Sequence, residues 1–147
     1  MKKLLVLMMA LAVVSIFCAT AHAMMLKIES FAVYGISFEL PNGWKLTTDD
    51  SGKVLITSPD DSSSIMFVYA HREGWDAHRF AIFIATDAGL EVETISPAEN
   101  EEGYFEFTVE ETNYRTWHVI NMGIVMKTGN DKFDDLQSIL NTLVYPL

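Results

Sequence analysis

The densest run of side chains capable of chemistry is HREGWDAH, which places His71, Arg72, Glu73, Trp75, Asp76 and His78 close together. Two imidazoles and two carboxylates are donor types that bind zinc and other divalent ions, so His71, Glu73, Asp76 and His78 are the candidate metal ligands. The histidines stand seven positions apart, a separation that follows no zinc-ligand spacing, and a solvated loop leading to a helix cap accounts for the same residues. Trp75 and Arg72 are the candidate partner-binding residues. Trp75 follows Gly74 just before an expected helix, whereas Trp44 and Trp117 occupy expected half-buried strands and are read as core.

Other reaction chemistry finds less support. His118 falls in an expected strand and Ser62, Ser63 and Ser64 in a loop, with no G-x-S-x-G turn to present a nucleophile. The pairs Asp49 with Asp50 and Asp60 with Asp61 have the composition of turns with solvated charge, and no site meets the geometric needs of acid–base catalysis. The alternating acids of a calcium loop are absent. The expectation is a noncatalytic protein with no required cofactor, a divalent metal or small ligand at 71–78 being the alternative.

The N-terminus bears on compartment. Lys2 and Lys3 precede an apolar run over 4–18, and Ala21, His22 and Ala23 supply a small-x-small cleavage site. These are the three parts of a secretory signal peptide, and the run is shorter than the roughly 20 residues that cross a bilayer. The expected organisation is a signal peptide at 1–23 and one domain at 24–147, periplasmic or secreted, with no stable membrane insertion after cleavage. Phe17 stands before Cys18, where a lipoprotein signal needs a small residue. Cleavage after Ala23 removes the only cysteine, so neither a disulfide nor a thiol nucleophile remains. It also leaves 8 basic against 20 acidic side chains, a net charge of −12 that repels nucleic acid and anionic lipid. Another protein or an envelope component is the expected partner.

The elements that must position these residues follow from periodicity. GISFELPNGWKL at 35–46 reads as a hairpin: Ile36, Phe38 and Leu40 alternate with polar residues, and Pro41, Asn42 and Gly43 form a turn before Trp44. Strands are expected at 28–34, 54–57, 65–70, 91–95, 104–109, 114–120 and 124–127, with 121–123 bending or bulging the last long strand. The unbroken apolar run IMFVYA places 65–70 at the centre of the sheet. A helix is expected over 76–88, capped by Asp76 and ended by Gly89, with Ala77, Phe80, Ala81, Ile84, Ala85 and Ala88 along one stripe. A final helix would be capped by Asn130 or Asp131, with Phe133, Leu136, Ile139, Leu140, Leu143 and Val144 as its apolar stripe. Together these elements predict an α+β fold, a mainly antiparallel sheet of about five to seven strands flanked by two helices.

The run Leu40, Pro41, two residues, Trp44, with a helix after the early hairpins and a last helix reading FDDLQSILNTL, resembles small PsbP-like domains. That group includes the PsbP extrinsic protein of photosystem II, the Ran-binding Mog-type protein and exported bacterial proteins. The resemblance covers about 31–143 and implies an antiparallel sheet with flanking helices serving as a binding or assembly module. It brings no catalytic residue with it.

Overall fold

Alternating burial along successive strands builds the molecule as layers around one sheet. The structure, a computed structural model, describes residues 24–28, 35–91, 103–119, 121–129 and 132–144. Its elements are β1 (Met24–Ile28), β2 (Ile36–Leu40), β3 (Lys45–Thr48), β4 (Val54–Thr57), β5 (Ser63–Tyr69), α1 (Ala77–Asp87), β6 (Phe105–Val109), β7 (Thr112–Val119), β8 (Met122–Thr128) and α2 (Phe133–Leu140). Six strands form one sheet in the order β3-β4-β5-β8-β7-β6, each neighbouring pair antiparallel. The fold is α+β, as expected.

The central strand explains its own composition. Ile65 and Phe67 of β5 enter the main core with Val54, Ile56, Ile124 and Met126, while Met66 and Val68 pack on the opposite side with Phe80, Ile84 and Val125. Because successive side chains point to opposite faces, a strand covered on both must be apolar at nearly every position. The α1 helix covers one face. Phe133, Leu136 and Ile139 of α2, together with Ile36, Phe38 and Leu40 of β2, cover the other. Phe38 stacks on Phe67 with ring centroids 6.2 Å apart.

The segment 35–46 departs from its expected form. Trp44 N–H donates to the Pro41 carbonyl at 3.2 Å, so the turn exists, but the strands flanking it do not pair with each other. β2 pairs with β1 in a separate ribbon, and β3 pairs with β4 at the edge of the large sheet. The turn therefore carries the chain from the covering layer into the sheet. Ser37 and Val144 exchange backbone hydrogen bonds of 3.0 and 2.8 Å, tying β2 to the chain beyond α2.

Two other boundaries shift. Residues 121–123 do not bulge one long strand; β7 and β8 are separate antiparallel strands, with Val119 opposite Met122. The α2 helix stops at Leu140, and Val144, counted above in its apolar stripe, lies beyond it and is 57% exposed. Its N-cap position is Lys132, whose N–H donates to Thr128 Oγ1 at 3.3 Å; the expected caps Asn130 and Asp131 lie outside the described residues. So do 29–34 of the first expected strand, 92–95 of the strand expected after α1, and the whole of 1–23. Trp44 and Trp117 are half-buried against the main core, in keeping with their expected packing role.

α1 follows its sequence signals closely. Asp76 accepts a hydrogen bond from the Arg79 N–H at 2.8 Å, and Gly89 follows the helix at φ +101°, a conformation that costs glycine little. Phe80, Ala81, Ile84 and Ala85 are buried. The Phe80 ring lies directly on Gly123 of β8, where any Cβ would overlap it. Gly123 stands between Val68 and His118 on its two neighbouring strands, so the missing side chain opens a seat for the helix.

Candidate functional site

The chain leaves β5 at Ala70 and turns tightly before α1. Trp75 N–H donates to the Arg72 carbonyl at 3.0 Å, and Arg79 Nη1 donates to the Gly74 carbonyl, folding the start of the helix back on the turn. The turn thereby sets Trp75 beside the first part of α1. The Trp75 ring lies 6.0 Å from Phe80 and 5.2 Å from Phe83, between centroids. Arg72 spreads over this pair, its guanidinium carbon 5.0 Å from the Trp75 centroid and 5.7 Å from that of Phe83. Among the described residues the guanidinium makes no hydrogen bond or ion pair.

A cleft of about 260 Å³ opens beside the stack. Met66, Val68, Ala70, Phe80 and Ile84 give it apolar walls, while Lys53, His71, Arg72 and Asp87 supply charged or titratable groups. The sheet's second face, α1 and the turn before it all contribute. Phe83 remains 43% exposed, a large aromatic surface beside the guanidinium. Sequence reasoning placed Trp75 and Arg72 here but missed Phe83 and Lys53. Phe83 lay off the α1 stripe, the signal that could have identified it; Lys53 approaches only through the antiparallel pairing of β4 with β5.

The four expected metal ligands are not brought together. His71 donates from Nδ1 to the Asn121 side-chain oxygen at 2.8 Å, at the β7–β8 turn. His78 instead packs edge-on against Phe105 of β6, with ring centroids 5.5 Å apart. Asp76 is committed to the helix start; the Arg79 backbone hydrogen bond, aided by the nearby Arg79 charge, holds its carboxyl below the ordinary aspartate value. Glu73 is exposed in the turn. Among the described residues no group of three or more His, Cys, Asp or Glu side chains is arranged to hold a metal ion. Adjacency in sequence failed here because the turn and the helix direct the two histidines to different neighbours.

The remaining reactive residues are separated or locally occupied. Ser63 begins β5, whereas His118 donates from Nε2 to the carbonyl of Ala70 just past its other end, at 2.7 Å. At roughly 3.3 Å per residue they stand about 20 Å apart, so no hydroxyl–imidazole pair forms. Asp49 accepts from Ser51 Oγ at 2.6 Å and from the Ser51 and Lys53 N–H groups at 3.0 Å each. Asp60 accepts from Ser58 Oγ at 2.6 Å, Ser62 Oγ at 2.8 Å and Ser62 N–H at 3.2 Å. These hydroxyl and amide bonds hold both carboxyls below the usual value, Asp60 far below it. A second cleft of about 250 Å³ is lined by Trp44, Pro59, Asp60, Lys132 and Asp135, among others, but its Asp60 carboxylate is engaged, Oδ1 in closing the loop and Oδ2 3.7 Å from Lys132 Nζ.

No protein-family model, curated protein or solved structure matches the chain.

Proposed function

We propose that this is a small exported, noncatalytic binding or assembly protein of the bacterial periplasm, and that it meets another protein or an envelope component at the Trp75–Arg72 cleft. The observation that carries the reading is the Arg72 guanidinium, in cation–π contact with Trp75 and Phe83 and with its N–H groups unpaired among the described residues. These cation–π contacts hold the guanidinium in place while its N–H donors make no hydrogen bond among the described residues, so part of the ordering cost of recognition is met before a partner arrives. Tryptophan and arginine are the side chains that most often dominate binding energy when a partner desolvates them. Export rests on the signal-like pattern of 1–23, and a PsbP-like assignment draws support from the antiparallel sheet with a helix on each face.

Crosslinked pull-downs from envelope extract test the contact site. The wild-type protein should recover a reproducible component that is depleted with Trp75→Ala and with Arg72→Gln, both variants retaining the wild-type circular dichroism spectrum. Undiminished recovery by both folded variants would remove the cleft from consideration. Intact mass of the protein isolated from the periplasm tests export: a chain beginning at Met24 is expected, and a full-length chain confined to the cytoplasm defeats that assignment.

A further inference from the structure

We propose that the cleft receives an acidic segment of a partner protein, one that presents a carboxylate beside an apolar side chain; this rests on the reading of the cleft as the contact site. The chain carries a formal charge of −10, yet the cleft has Lys53 and Arg72 against a single carboxylate, Asp87. Lys53 is already 3.5 Å from Asp49, which leaves Arg72 as the cation with open donors. A guanidinium with open N–H groups offers two parallel donors, the arrangement that a carboxylate accepts bidentately. A phosphate group would bring more negative charge into an acidic molecule and would call for more donors than one fork supplies.

The apolar half of the recognition comes from the walls. Met66, Val68 and Ile84 line the same cleft as the 43% exposed Phe83, so a side chain entering next to the carboxylate exchanges water for aliphatic and aromatic contact. The volume of about 260 Å³ is below the ~300–1,000 Å³ typical of small-molecule pockets and suits one or two side chains of a larger partner. Charge complementarity at Arg72 and this small apolar recess together select a peptide segment in preference to a long acyl chain.

Selection of a random heptapeptide display library on the purified protein tests the proposal. Enriched peptides should carry Asp or Glu within two positions of Phe, Tyr, Trp or Leu. In calorimetric titration of the synthetic consensus, replacing its acid by the amide should weaken binding at least tenfold, with binding to Arg72→Gln falling by a similar factor and Arg72→Lys restoring only part of it. Failure to enrich an acidic motif, enrichment of basic or neutral motifs, or a consensus indifferent to Arg72→Gln in a folded variant would overturn it. Decanoate binding more tightly than the consensus would do the same by identifying an acyl ligand. The outcomes separate from those of the contact-site reading: pull-downs that depend on Trp75 while selection yields no acidic motif reject only the ligand class, whereas pull-downs independent of Trp75 reject the site.

Discussion

At the scale of single residues, two side chains are held at local cost. Thr116 is buried between Phe105 and Val125, and its hydroxyl has no hydrogen-bond partner among the described residues. Tyr114 and His118, two positions to either side, face the α1 layer, so Thr116 lies on that same apolar face. A buried hydroxyl without a partner loses water and regains nothing. Thr116→Val keeps the branched shape and should raise stability by about 1 kcal/mol, read as a higher urea midpoint with an unchanged slope; a lower midpoint would mean the hydroxyl is satisfied in solution. Glu110, at φ +54° in the β6–β7 turn, is the second case. Glu110→Gly should stabilise by up to about 1 kcal/mol, since glycine adopts that conformation without the Cβ clash.

At the scale of elements, the seat of α1 on the sheet depends on a glycine and an aromatic acting together. Gly123→Ala must displace the Phe80 ring, and with it the helix that carries Phe83 and closes the cleft. Overpacking of this kind costs roughly 1–3 kcal/mol. Phe80→Leu alone should also destabilise, but the double variant should be less harmed than the sum of the two, because the smaller side chain leaves room for the new methyl group. Urea denaturation of all four proteins gives the coupling, and strict additivity would show that Phe80 does not bear on Gly123. Loss of the binding proposed for the cleft in Gly123→Ala, with Arg72 and Trp75 unchanged, would tie helix placement to recognition.

At the scale of the whole molecule, acid should loosen several connections together. Asp49, Asp60 and Asp76 sit in separate parts of the chain, each with its carboxyl held below the ordinary value of 3.8 by hydrogen bonds made in the folded state. Asp60 also lies 3.7 Å from Lys132 at the start of α2, so its loop is linked to the opposite layer. A carboxyl whose folded pKa is depressed contributes stability above its unfolded pKa of about 3.9 and loses it as pH falls through the folded value. The unfolded chain binds more protons in that window, so stability should decline below about pH 4. Asp60→Asn should flatten the decline measured by thermal unfolding between pH 5 and pH 2, and an unaltered slope would assign the acid sensitivity to other groups.

How much of this was legible in sequence depended on the range of the interaction. The Asp76 cap, the Gly89 terminus, the buried stripe of α1 and the two-faced burial of β5 arise from spacing and propensity within a few residues, and all were readable directly. The pairing of β2 was not, because its alternation determines which side chains are apolar but leaves open which strand supplies the backbone partner. The candidate site divides in the same way. Arg72 and Trp75 stand out by type and by their place before a helix, whereas Phe83 and Lys53 join them only after α1 is seated on Gly123 and β4 is aligned with β5. His71 and His78 had the right chemistry in the wrong geometry. By itself, the sequence determined the α+β class, the central strand and the turn that carries Arg72; tertiary packing decided that those two histidines part and that Arg72 comes to rest on two aromatic rings beside an apolar cleft. Local periodicity encodes which face of an element avoids water, but only the assembled layers select the face it meets.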